Sequence, residues 1–215
     1  MTAPEPWTFG VEPLPQALAL APLVREVTGL VLALEHEDPA VDRLLDDLRA
    51  AAAALAARVS ADPAPRLGLD APADRRPYLD HSRDVGTYNP AFPDYDITVD
   101  GPRATGTVTF PLAFEGPPGF VHGGVLATFF DCAIQHHNCD LGVAGRTASL
   151  EMTYRRPAPL GVPLAFTIDR EADDRRITSW GRLALGDDTL CTATMAAVVG
   201  DRSRLPHVPP RAAAP

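Results

Sequence analysis

His122-Gly123-Gly124, followed by Asp131 nine residues after the histidine inside the apolar run VLATFFDCAI, contains the residue types in this chain that could do chemistry together. Two glycines opening a helix leave unshielded backbone N–H groups at its positive end, which suits a developing oxyanion. A carboxylate two turns further on, among Val125, Leu126, Phe129, Phe130 and Ile134, costs on the order of several kcal/mol to bury unless it is paired or its charge is used. Gly123 and Asp131 lie about 12 Å apart along one helix, so they cannot share one substrate carbonyl. For both to serve one reaction, the aspartate must come from a second copy of the helix across a two-fold axis. The spacing therefore predicts a homodimer, with a dimer of dimers left open. Taken alone, the glycine pair reads as a turn and the aspartate as a structural residue bonded to backbone; it is their combination that points to function.

The elements that must position these residues are legible from periodicity. Leu20, Leu23, Val24, Val27, Leu30, Val31 and Leu34 recur at three- and four-residue spacing, as do Val41, Leu44, Leu45, Leu48, Ala52, Leu55 and Val59 after an Asp38-Pro39 helix start. Residues 1–60 are therefore read as an N-terminal helical pair whose apolar stripes need a partner: the main domain, a second subunit or another protein. Residues 61–94, with Pro63, Pro65, Pro72, Pro77, Pro90 and Pro93, read as a connecting segment over the surface, with Tyr78, Tyr88 and Phe92 available to line something. From Tyr95 the pattern alternates. YDITVD and RATGTVTFPL give two strands joined through Asp100-Gly101; FEGPPGF leads into the His-Gly-Gly helix. Four further strand-like runs follow, TASLEMTYRR, VPLAFTIDRE, RITSWGRLAL and TLCTATMAAVV. One long helix followed by an antiparallel meander predicts an α+β domain over residues 95–200, with the helix wrapped in a curved sheet. The Pro- and Arg-rich residues 201–215 read as a disordered tail.

Composition narrows the function classes. With 215 residues and 46% hydrophobic content, one main domain plus an appendage is expected. A formal net charge of -9 argues against a nucleic acid as the main partner. The chain holds no lysine, which excludes Schiff-base and lysine-nucleophile chemistry. Cys132, Cys139 and Cys191 have no zinc-ligand spacing, and an odd count fits reduced thiols filling a core. His136 and His137 near the helix end make no ligand set of three at helical spacing and read as solvated helix-terminal histidines, so no metal is expected. No Gly-rich phosphate loop is present. Without a basic segment leading into an apolar run, or a stretch long enough to span a bilayer, the expectation is a soluble cytoplasmic protein.

GFVHGGVLATFFD, then TASLEMTYRRP with Thr147 sixteen residues after Asp131, then the order of the later strands, together resemble the hotdog-fold acyl-CoA thioesterases of the phenylacetyl-CoA thioesterase type. The pattern is most similar to the longer mitochondrial-type members. The resemblance covers roughly residues 95–200 and implies hydrolysis of an acyl-CoA to free acid and CoA. It further implies that the backbone N–H of Gly123, with Gly124 beside it, polarises the thioester carbonyl. Asp131 of the partner subunit is implied as base or nucleophile, Thr147 as the hydroxyl that orients water or carboxylate, and His122 as part of the carbonyl pocket. No cofactor is implied. Many smaller relatives carry an asparagine six residues before the histidine, where this chain has Gly116, leaving one polar contact to be replaced, with Glu115 as the candidate.

Coenzyme A brings phosphates, so an acidic protein needs local arginines to hold it. Arg155 and Arg156 are the foremost candidates, with alternation allowing one of them to reach the ligand; Arg146 and Arg175-Arg176 are weaker. Two other readings compete. A hotdog hydratase or dehydratase would carry a different segment from the one around Asn89-Pro90. A non-catalytic acyl-CoA sensor with docking helices, like the fatty-acid-responsive repressors, would have a basic DNA-binding head. Residues 1–60 hold four arginines against nine carboxylates, and a sensor has no need of Asp131 and Thr147.

Overall fold

The computed structural model describes residues 12–59, 65–66, 76–77, 79, 83–142 and 145–199. The tail at 201–215 and Tyr78 lie outside the described residues. Six antiparallel strands form one sheet: β1 (Tyr95–Asp100), β2 (Arg103–Val108), β3 (Gly145–Tyr154), β4 (Leu164–Ala172), β5 (Arg176–Leu185) and β6 (Asp188–Val199). Of the helices, α1 is Pro15–Leu32, α2 Pro39–Ala56, α3 the single turn Val85–Tyr88 and α4 Gly123–Asp140. The strand order is β1-β2-β4-β5-β6-β3. This is the hotdog arrangement, an α+β fold in which α4 is the central helix.

That order corrects the expected meander. A meander would pair β3 with β4, yet β3 joins β6 at the far edge, and residues 155–163 carry the chain back across to β4. Only β4, β5 and β6 pair in sequence after the helix. Two-residue connections with a glycine leading, Gly101 (φ 52°) between β1 and β2 and Gly186 (φ 56°) between β5 and β6, supply the positive φ that such hairpin turns need at their first central position.

Alternation decides which face meets the helix. In β4, Leu164, Phe166 and Ile168 are buried while Ala165 and Asp169 are exposed, the period of two expected of a half-covered sheet. Phe129 of α4, fully buried, is the hub of the core. Its ring lies 5.2 Å from Phe166, 5.3 Å from Phe130, and 5.6 Å from both Tyr95 and Phe110, all edge to face, the favoured aromatic geometry. Gly181 makes the close approach possible, since a Cβ there would stand 2.4 Å from the Phe130 ring.

The N-terminal helices behave differently from each other. Asp38 caps α2 as its spacing predicts, its carboxylate accepting from the Ala40 N–H at 2.8 Å, but α2 buries no residue. Helix α1 docks through Ala21 and Arg25. The buried Arg25 guanidinium donates to the carbonyls of Gly86 and of Asn89, tying α1 to the segment that runs from α3 into β1. Burial holds this arginine below its ordinary pKa, opposed by the nearby Asp94.

Candidate active site

The loop before α4 is built to place a helix start. The His122 N–H donates to the Phe114 carbonyl at 3.0 Å, and the Glu115 carboxylate accepts from the Gly119 N–H at 2.7 Å. Glu115 is therefore engaged in holding its own turn. A Cβ on Gly116 would lie 2.7 Å from the His122 Cα, so the loop has no room there for an asparagine or any other side chain.

His122 is the N-cap of α4. Its backbone is extended (φ -63°, ψ 133°), and its Nδ1 accepts from the Gly124 N–H at 3.0 Å. This bond needs a lone pair on Nδ1, which places the proton of the neutral ring on Nε2. With Gly124 engaged, the Gly123 N–H has no acceptor among the described residues, as the first turn of a helix leaves it. The Tyr154 hydroxyl, at the end of β3, donates to the Gly123 carbonyl at 2.8 Å, and the same ring lies 3.3 Å from where a Gly123 Cβ would stand. Strand β3 thus ends beside the helix start.

Two turns along α4, the half-buried Asp131 accepts a hydrogen bond from the Thr147 hydroxyl at 2.8 Å. Thr147 reaches the helix because of a bulge. Leu150 and Met152 pack toward the core, and strict alternation from them would turn Thr147 away. The ladder instead skips Ala148, pairing Thr147 with Ala197 and Ser149 with Ala196, which reverses the parity of the strand. Gln135, one turn beyond Asp131, completes the arrangement. Its Nε2 donates to the Thr147 Oγ1 at 3.0 Å and to the Gly145 carbonyl at 3.0 Å. By donating to the hydroxyl oxygen, Gln135 leaves the threonine proton directed at Asp131. Sequence reasoning missed Gln135, and its position four residues after Asp131 on a helix was the available signal.

Gly123 and Asp131 open and occupy the same straight run of helix, about 12 Å apart. One copy of the chain therefore holds both residues without bringing them together. Cys132 and Cys191 are poorly suited to act as nucleophiles. Burial, with the Asp131 charge second, pushes the Cys132 thiol up to about 12, and burial pushes Cys191 up to about 12; a neutral thiol is a poor nucleophile.

His136 and His137 correct an expectation. They are 3% and 0% exposed, because the run Ala133–Cys139 of α4 lies in the core and the helix becomes exposed only at its last residue, Asp140. The Tyr95 hydroxyl meets the His136 Nδ1 at 2.9 Å, and the His137 Nε2 meets the Gly101 carbonyl at 2.9 Å. Burial holds the His137 pKa below the ordinary histidine range. Among the described residues, no group of three His, Cys, Asp or Glu is placed to hold a metal ion, and no helix is long and apolar enough to cross a membrane. Of the arginines, Arg156 is paired with Asp188 at 3.2 Å, while the exposed Arg155 directly follows Tyr154 beside the helix start.

A cavity of about 560 Å³ adjoins this end of α4. It runs from His122 and Gly124 past Thr128 and is walled by Phe92, Phe114 and, from α1, Thr28. The connecting-segment aromatic Phe92 thus lines a cavity, while Tyr88 packs against the core.

Residues 118–168 match the family model of the thioesterase superfamily. A solved thioesterase-superfamily protein aligns over 89% of this chain and 95% of its own, with a TM-score of 0.70 and 26% identity. Over these spans the chain is similar to the thioesterase superfamily. Two curated relatives are similar over shorter stretches: acyl-coenzyme A thioesterase THEM4 of Mus musculus, 48% identical over 54 residues, and of Xenopus laevis, 45% identical over 77 residues. These matches take in 23% and 35% of this chain and span 21% and 35% of the relatives. Within the thioesterase-superfamily stretch fall His122, Gly123, Gly124, Asp131, Thr147, Arg155 and Arg156. Thr28 and Phe92 lie outside it.

Proposed function

We propose that this protein hydrolyses acyl-CoA thioesters to a free acid and CoA, in a homodimer whose two helices α4 each contribute opposite ends to a shared site. The observation that carries the reading is the relay from Gln135 through Thr147 to Asp131, placed on the same helix as an N–H without an acceptor at Gly123. Such a relay orients a carboxylate for proton transfer, and an N–H at a helix start stabilises an oxyanion. The curated relatives named acyl-coenzyme A thioesterase support the same chemistry.

In this reading the thioester carbonyl accepts from the Gly123 N–H of one copy, with His122 holding the helix start in place. Asp131 of the other copy has one carboxylate oxygen bound by Thr147 and the second directed at water. Water adds to the carbonyl carbon as its proton passes to Asp131. The tetrahedral oxyanion rests on the Gly123 N–H. Its collapse breaks the carbon–sulfur bond, and the departing thiolate takes the proton from Asp131. Direct attack by the carboxylate on the acyl carbon would use the same geometry, with water hydrolysing the anhydride in a second step. Arg155, exposed beside the site, takes the CoA phosphates.

Free-thiol release from short, medium, long-chain and aryl acyl-CoAs tests the reading, with wild type beside Asp131→Asn. The variant is expected to lose about 10²–10⁴-fold in turnover, the ordinary worth of a positioned base, while remaining folded. Equal rates for the two proteins would overturn the mechanism, and a wild type inert toward every acyl-CoA would overturn the activity.

A further inference from the structure

Helix α1 lies outside residues 118–168, the stretch that matches the family model, yet it faces the cavity at the start of α4. The chemistry of that cavity restricts what enters it. It is about 560 Å³, within the roughly 300–1,000 Å³ of small-molecule sites, and no charged side chain lines it. Its hydroxyl protons are already committed: Thr28 donates to the Val24 carbonyl at 2.7 Å and Thr128 to the Gly124 carbonyl at 2.9 Å. The His122 Nδ1 is likewise engaged by Gly124. What remains, apart from the His122 Nε2–H at the end nearest the helix start, is a surface of phenyl rings, prolines, alanines and methyl groups, suited to an apolar group and not to the phosphates of CoA.

The cavity is continuous with the site. His122 and Gly124, which flank Gly123, both line it. Gly124, Phe114 and Thr28 all line the cavity, so it lies within reach of a group attached to a carbonyl held at Gly123. The wall that carries Thr28 is fixed. Arg25, one turn earlier on α1, donates to the carbonyls of Gly86 and Asn89, and Asn89 directly precedes the Pro90–Pro93 stretch that forms the neighbouring wall. Position 29, beside Thr28, faces Leu112, 4.0 Å from where a Cβ would stand.

We propose that α1 is the outer wall of the pocket for the acyl group, and that Thr28 sets the bulk of the acyl group accepted. The proposal rests on the thioesterase reading and adds a specificity role for the N-terminal extension. Position 28 is exposed, so a larger side chain there has room in the fold and its bulk falls in the cavity.

The experiment compares kcat/KM for acetyl-CoA and for decanoyl- and phenylacetyl-CoA in wild type, Thr28→Trp and Thr28→Ala. The ratio of bulky to acetyl substrate is expected to fall about tenfold or more in Thr28→Trp, the scale on which filling an apolar pocket discriminates. It should hold or rise in Thr28→Ala. A ratio unchanged in Thr28→Trp, whether the absolute rates stay or fall together, overturns the α1 wall while leaving the thioesterase reading intact. A wild type that releases thiol from none of these substrates overturns the thioesterase reading, and the proposal with it.

Discussion

Among the described residues three helices are 18 residues long, and they have different fates. Helix α4 buries ten of its residues, α1 buries Ala21 and Arg25, and α2 buries none. Yet α1 and α2 show apolar residues at the same three- and four-residue spacing, and they leave Leu23, Leu30, Leu45, Leu48 and Leu55 exposed. Periodicity reports that a stretch suits a helix with an apolar face. It does not report whether a sheet is there to receive that face. What separates α4 is its setting: Phe129 meets four other rings, and Gly181 removes the side chain that would hold the helix off the sheet.

The comparison can be broken by substitution on each helix in turn. Phe129→Ala on α4 should cost most, about 3–5 kcal/mol, the ordinary cost of emptying a phenylalanine site in a packed core, read from urea denaturation. A loss below about 1 kcal/mol would deny the hub. Arg25→Ala on α1 should cost less, about 1–3 kcal/mol, by leaving the Gly86 carbonyl without its side-chain donor, while the Asn89 carbonyl keeps the Phe92 N–H. Amide exchange would register it as lost protection confined to α1 and residues 85–92, with the sheet unchanged. If the sheet amides open equally, α1 is part of the core and the contrast drawn above fails. Leu48→Ala on α2 should change stability by no more than about 0.5 kcal/mol, as for surface positions elsewhere. A larger loss would reveal a face that is covered in solution.

Much of the fold was legible in the chain because its signals are local. The alternation of YDITVD marks β1 at Tyr95–Asp100, and the Gly pair marks the start of α4 at Gly123. Asp131 and Thr147 were singled out through the resemblance, and a 2.8 Å hydrogen bond joins them. What escaped depends on pairing across the sheet. The placement of β3 beside β6 is decided by long-range contacts that no periodicity encodes. The unpaired Ala148, which turns Thr147 toward the helix, is a change of parity in the ladder and leaves no mark in residue type. His136 and His137 were read from their place near a helix end, whereas their burial is set by how far α4 penetrates under the sheet. Arg25 was one charge among several on an amphipathic stretch, and only its carbonyl partners 61 and 64 residues away give it a role.

The central claim is that Gly123 and Asp131 act together only across two copies of the chain. Gly123→Pro removes the N–H while keeping the helix start, because proline suits the first helical position and His122 already has the extended backbone that precedes proline. Asp131→Asn removes the other half. Each variant alone should release thiol at a small fraction of the wild-type rate. Unfolded together in equal amounts and refolded, they should recover about a quarter of wild-type turnover on acyl-CoA, since about half of the dimers formed at random carry one intact site of two. A mixture no more active than either parent would contradict a site shared between subunits.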